Sequence, residues 1–148
     1  SGQIGTELAK ALKAGQFTKG GILRLVSRNP RPIHDDDQIV PANLLDREQT
    51  FRAVEGSNIV YFTAGLPIDS QMWKDQFPVM MQNTIEACSE HGAQLVFFDN
   101  TYMYPQTADV QIEDSTPFQP NGPKGGVRAQ LANMVQEAMD EKKIQAMI

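Results

Sequence analysis

The sequence has a single cysteine, a single tryptophan and three tyrosines among its 148 residues, and no apolar run near the roughly 20 residues needed to span a bilayer. One cysteine excludes an internal disulfide and fits a reducing compartment. Cys88 lies in the helix-like segment Thr84-Ile85-Glu86-Ala87-Cys88, with no neighbouring base or helix start to lower its pKa, so a buried packing role is expected. Basic residues are few: 13 Lys and Arg against 18 Asp and Glu leave a net charge of −5. That balance provides no basic stripe for nucleic acid or an anionic membrane surface, and points to small metabolites or proteins as partners. The N-terminus lacks the basic-then-apolar pattern of a secretory leader, so a cytoplasmic location is expected. No Cys/His spacing suggests a metal site. His34 falls in a polar loop and His91 at a helix end, both expected at the surface.

A hydrophobic content of 41% suffices for one well-buried core, and a single domain over residues 1–148 is expected. Ile4, Leu8, Ala11 and Leu12 recur at helical spacing, and a turn at Gly15 and Gly20-Gly21 follows. Ile22-Leu23-Arg24-Leu25-Val26 reads as a strand and Gln38-Ile39-Val40-Pro41 as a weaker one, separated by the polar stretch 33–37. Residues 46–54 read as a short helix, 58–63 as a buried strand, 70–91 as a long helix and 94–98 as another buried strand. A loop rich in Pro and Gly over 105–126 leads to a helix with Val127, Leu131, Met134, Val135 and Ala138 on one face, and 143–148 begin a further strand. Helices alternating with apolar strands require parallel crossovers, so the fold class is α/β, a doubly wound parallel sheet covered by helices. The seven methionines and Trp73 are read as packing residues, with Met80, Met81 and Met134 looking exposed on their helices.

Ser1-Gly2-Gln3-Ile4-Gly5-Thr6-Glu7-Leu8 opens a helix with two glycines three apart. Glycine there lets the backbone approach a pyrophosphate, and the helix start offers unpaired N–H groups and a positive dipole end; a plain turn before a helix is the alternative. The segment resembles the second and third glycines of the Gly-x-x-Gly-x-x-Gly loop of short-chain dehydrogenases. The resemblance to the extended, epimerase/dehydratase-like members of that family runs from Gly2 to about Arg128. Residues 22–28 resemble the second strand, and Ala42-Asn43-Leu44-Leu45-Asp46 the adenine-side segment. Val60-Tyr61-Phe62-Thr63-Ala64-Gly65 resembles the fourth strand with its small-residue turn, and Asp99-Asn100-Thr101-Tyr102-Met103-Tyr104 the Ser/Thr-bearing segment. The resemblance implies a Rossmann-like fold whose first strand and C-terminal substrate region are absent from this chain, the missing strand being the middle of the sheet.

The same resemblance implies a nicotinamide cofactor contacted by Gly2, Gln3, Ile4 and Gly5, by Ser27 and Arg28, by Asn43 and Leu44, and by Ala64 and Gly65. Arg28, 23 residues past Gly5, stands near the offset expected of the ribose contact. A guanidinium there suits a 2′-phosphate, so NADP is expected over NAD, with a solvated surface arginine as the alternative.

The family's Tyr-x-x-x-Lys pair is absent, since none of Tyr61, Tyr102 and Tyr104 has lysine four residues later. The resemblance puts Lys124 in the Tyr place, Arg128 in the Lys place and Asn100 in the Ser/Thr place. Lys124 and Arg128, one turn apart, either bind a phosphate, carboxylate or cofactor together or are simply solvated. A desolvated lysine can exchange protons whereas arginine cannot, which makes Lys124 the stand-in for Tyr. Asn100 is a candidate donor to a substrate carbonyl and Asp99 a candidate base, with structural roles as the alternative for each. Two functions follow: an NAD(P)-dependent epimerase-like oxidoreductase acting on a small oxygenated or nucleotide-sugar-like substrate, or a non-catalytic NADP-binding sensor or regulator. Extended relatives commonly pair through the two long helices, so a homodimer is implied.

Overall fold

A computed structural model describes residues 2–15, 21–105, 107 and 111–148. Gly20 of the expected turn and positions 106 and 108–110 of the expected loop lie outside the described residues. The elements run α1 (Gln3–Ala14), β1 (Arg24–Ser27), β2 (Gln38–Pro41), α2 (Arg47–Val54), β3 (Ile59–Phe62), α3 (Ser70–His91), β4 (Gln94–Phe97), α4 (Pro123–Asp140) and β5 (Ala146–Met147). From β2 onward helix and strand alternate, β1 runs into β2 without a helix as the sequence expects, and among the described residues every strand pair is parallel. The fold is a Rossmann-like parallel α/β architecture.

Caps set the helix limits. The Asp46 side chain accepts from the Gln49 N–H at 3.0 Å to start α2, and Asp69 accepts from the Met72 N–H at 2.7 Å to start α3. Gly92 ends α3 with φ 66°, a left-handed cap that costs glycine nothing. Pro123 occupies the first turn of α4, where its missing N–H is no loss.

The strands form two ladders instead of the single sheet expected. β1 pairs with β2, and β3, β4 and β5 pair in that order; among the described residues no ladder joins β1 to β3. The family resemblance read from the sequence expects a further strand between them. Side chains link the halves instead. Arg24 Nη1 on β1 donates to the carbonyls of Ala53 at 2.9 Å and Glu55 at 2.6 Å, and Asn83 Nδ2 on α3 donates to the Leu44 carbonyl at 2.8 Å.

The core lies where α3 and α4 cover β3 and β4. Phe77, Met81, Leu95, Phe97, Leu131 and Val135 are fully buried there, each such side chain stabilising by roughly 1.5–3 kcal/mol relative to exposure. Cys88 and Trp73 join this core as expected. The expectation that Met80 and Met81 are exposed is wrong: both are buried, and Met134 is half-buried against the same cluster. α3 is wedged between α2 and α4, so it has apolar contacts on more faces than an amphipathic helix with one solvent side. His34 also departs from the surface role expected of it: it is half-buried, with Nδ1 3.4 Å from Asp37 Oδ1.

Candidate active site

The residues singled out from the sequence fall at the start of α1, at or just beyond the C-terminal ends of β1, β2, β3 and β4, and in the first turns of α4. In an open parallel sheet, the crevice beyond the strand C-termini is where ligands bind. Gly2 is the N-cap of α1, without a side-chain cap and with no acid in the first turn. The leading N–H groups of Gln3, Ile4 and Gly5 therefore meet the positive dipole end with no carboxylate competing. A Cβ on Gly5 would come within 3.2 Å of Thr63 Oγ1 at the end of β3, so the small residue lets the helix start sit against that strand. Gly65, just beyond, is exposed with open space around it, and Ala64 is half-buried against the core.

Ser27 closes β1, its carbonyl accepting from the Ala42 N–H at 2.8 Å, and Arg28 emerges exposed immediately after it. Two of the acids in the following loop are engaged elsewhere. Asp36 pairs with Lys13 at 2.5 Å, and Asp37 turns inward to accept from the N–H groups of Ile33 and His34 at 2.9 and 2.8 Å. Asn43 is used locally: its Oδ1 accepts from the Leu45 N–H at 3.2 Å and its N–H donates to Gln49 Oε1 at 3.0 Å. Leu44 packs against the core.

At the end of β4, Asn100 Oδ1 accepts from the Tyr102 N–H at 3.0 Å, which orients the side-chain amide and leaves Nδ2 to donate. Lys124 is half-buried in the first turn of α4, its Nζ 5.7 Å from the centre of the Trp73 ring. Trp73 is fixed in turn by donating Nε1 to the Pro67 carbonyl at 2.8 Å. The sequence reading took Trp73 for packing alone and missed that it carries this cation.

Arg128 does not share an anion site with Lys124. It is 4% exposed, with its guanidinium 5.5 and 4.9 Å from the centres of the Phe77 and Phe97 rings. Its Nε donates to Asp99 Oδ1 at 2.5 Å and its Nη2 to the Phe98 carbonyl at 3.3 Å. The Asp99 side chain is nearly as deeply buried as its partner's. Burial pushes its carboxyl above the ordinary value, while Arg128 beside it and the Asn100 N–H pull it back. Removing one member of such a pair costs about 3–5 kcal/mol, whereas replacing both with apolar groups is often neutral.

Gly125 was also missed. A Cβ there would collide with the Tyr102 carbonyl oxygen and lie 3.0 Å from Pro120 Cβ. The signal was present in the sequence, because a Gly-Gly pair near a helix start costs about 1 kcal/mol per residue against alanine and needs a reason. No group of three His, Cys, Asp or Glu among the described residues is placed to hold a metal ion.

Against solved structures the chain matches uronate dehydrogenase from Agrobacterium tumefaciens at 20% identity and TM-score 0.83, covering 98% of this chain and 55% of that one. It matches UDP-glucose 4-epimerase from Thermus thermophilus, solved with NAD, at 18% and 0.81, covering 98% and 50%. It also matches a double mutant of dTDP-glucose 4,6-dehydratase from Streptomyces venezuelae at 14% and 0.85, covering 98% and 51%. The chain thus spans about half the length of these neighbours, and at such identities the likeness establishes the fold. No curated protein matches the chain. The model of the NAD dependent epimerase/dehydratase family matches residues 1–148, and the chain belongs to that family.

Proposed function

We propose that this chain is the cofactor-binding part of an NADP-dependent epimerase-like oxidoreductase acting on a small oxygenated or nucleotide-sugar-like substrate in the reducing cytoplasm. The observation that carries the reading is one end of the fold, where an oriented Asn100 amide, a half-buried Lys124 and the uncapped start of α1 come from elements meeting beyond β3 and β4. The residues fit a dinucleotide: the α1 N–H groups suit a pyrophosphate, Gly5 admits close approach beside Thr63, and the exposed Arg28 suits a 2′-phosphate. When bound, a nicotinamide supplies hydride transfer. The protein's part is to hold the substrate oxygen on Asn100 Nδ2 and to exchange a proton with it at Lys124 Nζ. Asp99 stays inside, fixed on Arg128. No helix of the described residues is long and apolar enough to cross a membrane. The protein is proposed to act as a homodimer.

The second reading, a non-catalytic NADP-binding sensor, is favoured by the burial of Arg128 and Asp99, which removes two of the expected polar groups from the cleft. NADPH oxidation by the full-length protein over a panel of carbonyl substrates separates the two. Turnover that Lys124→Met abolishes at nearly unchanged cofactor affinity supports the enzyme; cofactor binding without turnover supports the sensor. By calorimetry NADP binds more tightly than NAD and Arg28→Ala removes the difference; equal affinity in the unsubstituted protein defeats the assignment.

A further inference from the structure

We propose that the buried Asp99–Arg128 pair is a positioning device that sets Asn100 against Lys124 from inside the fold, touching neither cofactor nor substrate. The inference rests on the functional reading above.

One carboxylate oxygen is shared between two elements. Asp99 Oδ1 accepts from Arg128 Nε on α4 at 2.5 Å and from the Asn100 N–H beyond β4 at 2.7 Å, and Arg128 Nη2 reaches the same oxygen. Arg128 stands four residues after Lys124, so both lie on one face of α4, a turn apart. Its Nη2 also takes the Phe98 carbonyl. A planar fork spans those two acceptors, whereas an ammonium at the same position is a single point charge.

Two further contacts lock the loop after β4 to the same helix, and a third ties it to the chain just before that helix. Gly125 presses on the Tyr102 carbonyl with no room for a Cβ. Met103 is buried against Ala129 and Ala132. The Gln119 N–H donates to the Met103 carbonyl at 2.9 Å. Tyr102 in turn orients Asn100 through its N–H. The Asn100 amide and the first turn of α4 that carries Lys124 are thereby referred to one frame, with the ion pair at its centre.

A buried ion pair is a poor source of stability, since apolar groups of similar volume serve as well or better. Geometry is what such a pair supplies here: the guanidinium lies against the Phe77 and Phe97 rings, 5.5 and 4.9 Å from their centres, as well as on its two oxygen acceptors. Misplacing reacting groups by about 1 Å costs on the order of 100-fold in rate.

The test is the paired replacement Asp99→Leu with Arg128→Met in the full-length protein, which removes both charges and the acceptor of the Asn100 N–H. The expected result is a folded protein whose NADP dissociation constant and KM change by less than about threefold while kcat falls about 100-fold, a split a merely structural pair would not produce. An unchanged kcat overturns the positioning role. A dissociation constant weakened about tenfold or more also overturns it, by showing that Arg128 contacts the cofactor. If the double replacement does not fold, Asp99→Asn keeps the shape and weakens the hold on Arg128; it must show the same split in smaller measure, and an unchanged kcat again overturns the proposal. If the unsubstituted protein turns over no carbonyl substrate, the functional reading fails by itself. The NMR signals of the Asn100 side-chain amide then decide: a displaced resonance in the paired replacement supports positioning, and an unmoved one overturns it.

Discussion

The side chain of Asp37 has no exposed surface although it ends a run of three aspartates. Burial pushes its carboxyl up, but the N–H groups of His34 and Ile33 and the His34 ring pull it further down, so it titrates below the ordinary value. A folded value below the unfolded one, about 3.9, means that its contribution to stability is complete above about pH 4 and is lost as pH falls through the folded value. The urea midpoint is therefore expected to drop on acidification below about pH 4, and Asp37→Asn to flatten that slope. An identical slope in the variant would refute the role given to Asp37. The sequence, through its family resemblance, named Asn100 and Lys124, which lie just beyond β4 and in the first turn of α4. It did not reveal that Arg128 runs inward to Asp99, since spacing says nothing about which side of β4 a side chain passes. Asp37 was hidden for a similar reason: a polar stretch reads as solvated until its turn closes over one member.

At the level of elements, the two glycines that open α4 make a matched pair. Gly126 has open space where a Cβ would stand, so Gly126→Ala is expected to stabilise the helix by about 0.5–1 kcal/mol. Gly125→Ala has the same propensity gain but drives a Cβ into the Tyr102 carbonyl, and the expected sign is reversed. Chemical denaturation of both variants checks this, and equal effects would show that α4 and the Tyr102 loop are not in contact. The limits of α3, Ser70–His91, were fully legible, because Asp69 and Gly92 are strong start and stop signals. Strands were trimmed relative to the apolar runs, with Ile22 left outside β1 and exposed and Phe98 outside β4. An apolar run marks where a strand passes, whereas a ladder also needs a partner strand in register, which a local pattern does not contain.

For the whole molecule, the proposed homodimer uses the outer faces of α3 and α4. The burial of Met80 and Met81 removes apolar area once credited to that surface, leaving Val79 exposed and Met134 partly so. Light scattering of the full-length protein at micromolar concentration is expected to give twice the chain mass, and a monomer would end the proposal. The thiol of Cys88 has no solvent contact, and burial pushes its pKa up to about 12. Alkylating reagents attack thiolates, so an intact molecule presents them with almost nothing. Reaction has to wait until α3 lifts away from the helices and strands that enclose it. With a single cysteine in the chain, the rate at which one label is incorporated becomes a clock for that opening, readable by mass alone. It needs no substrate and no engineered probe, and in the regime where closing outpaces labelling it reports how rarely the core of this fold comes apart.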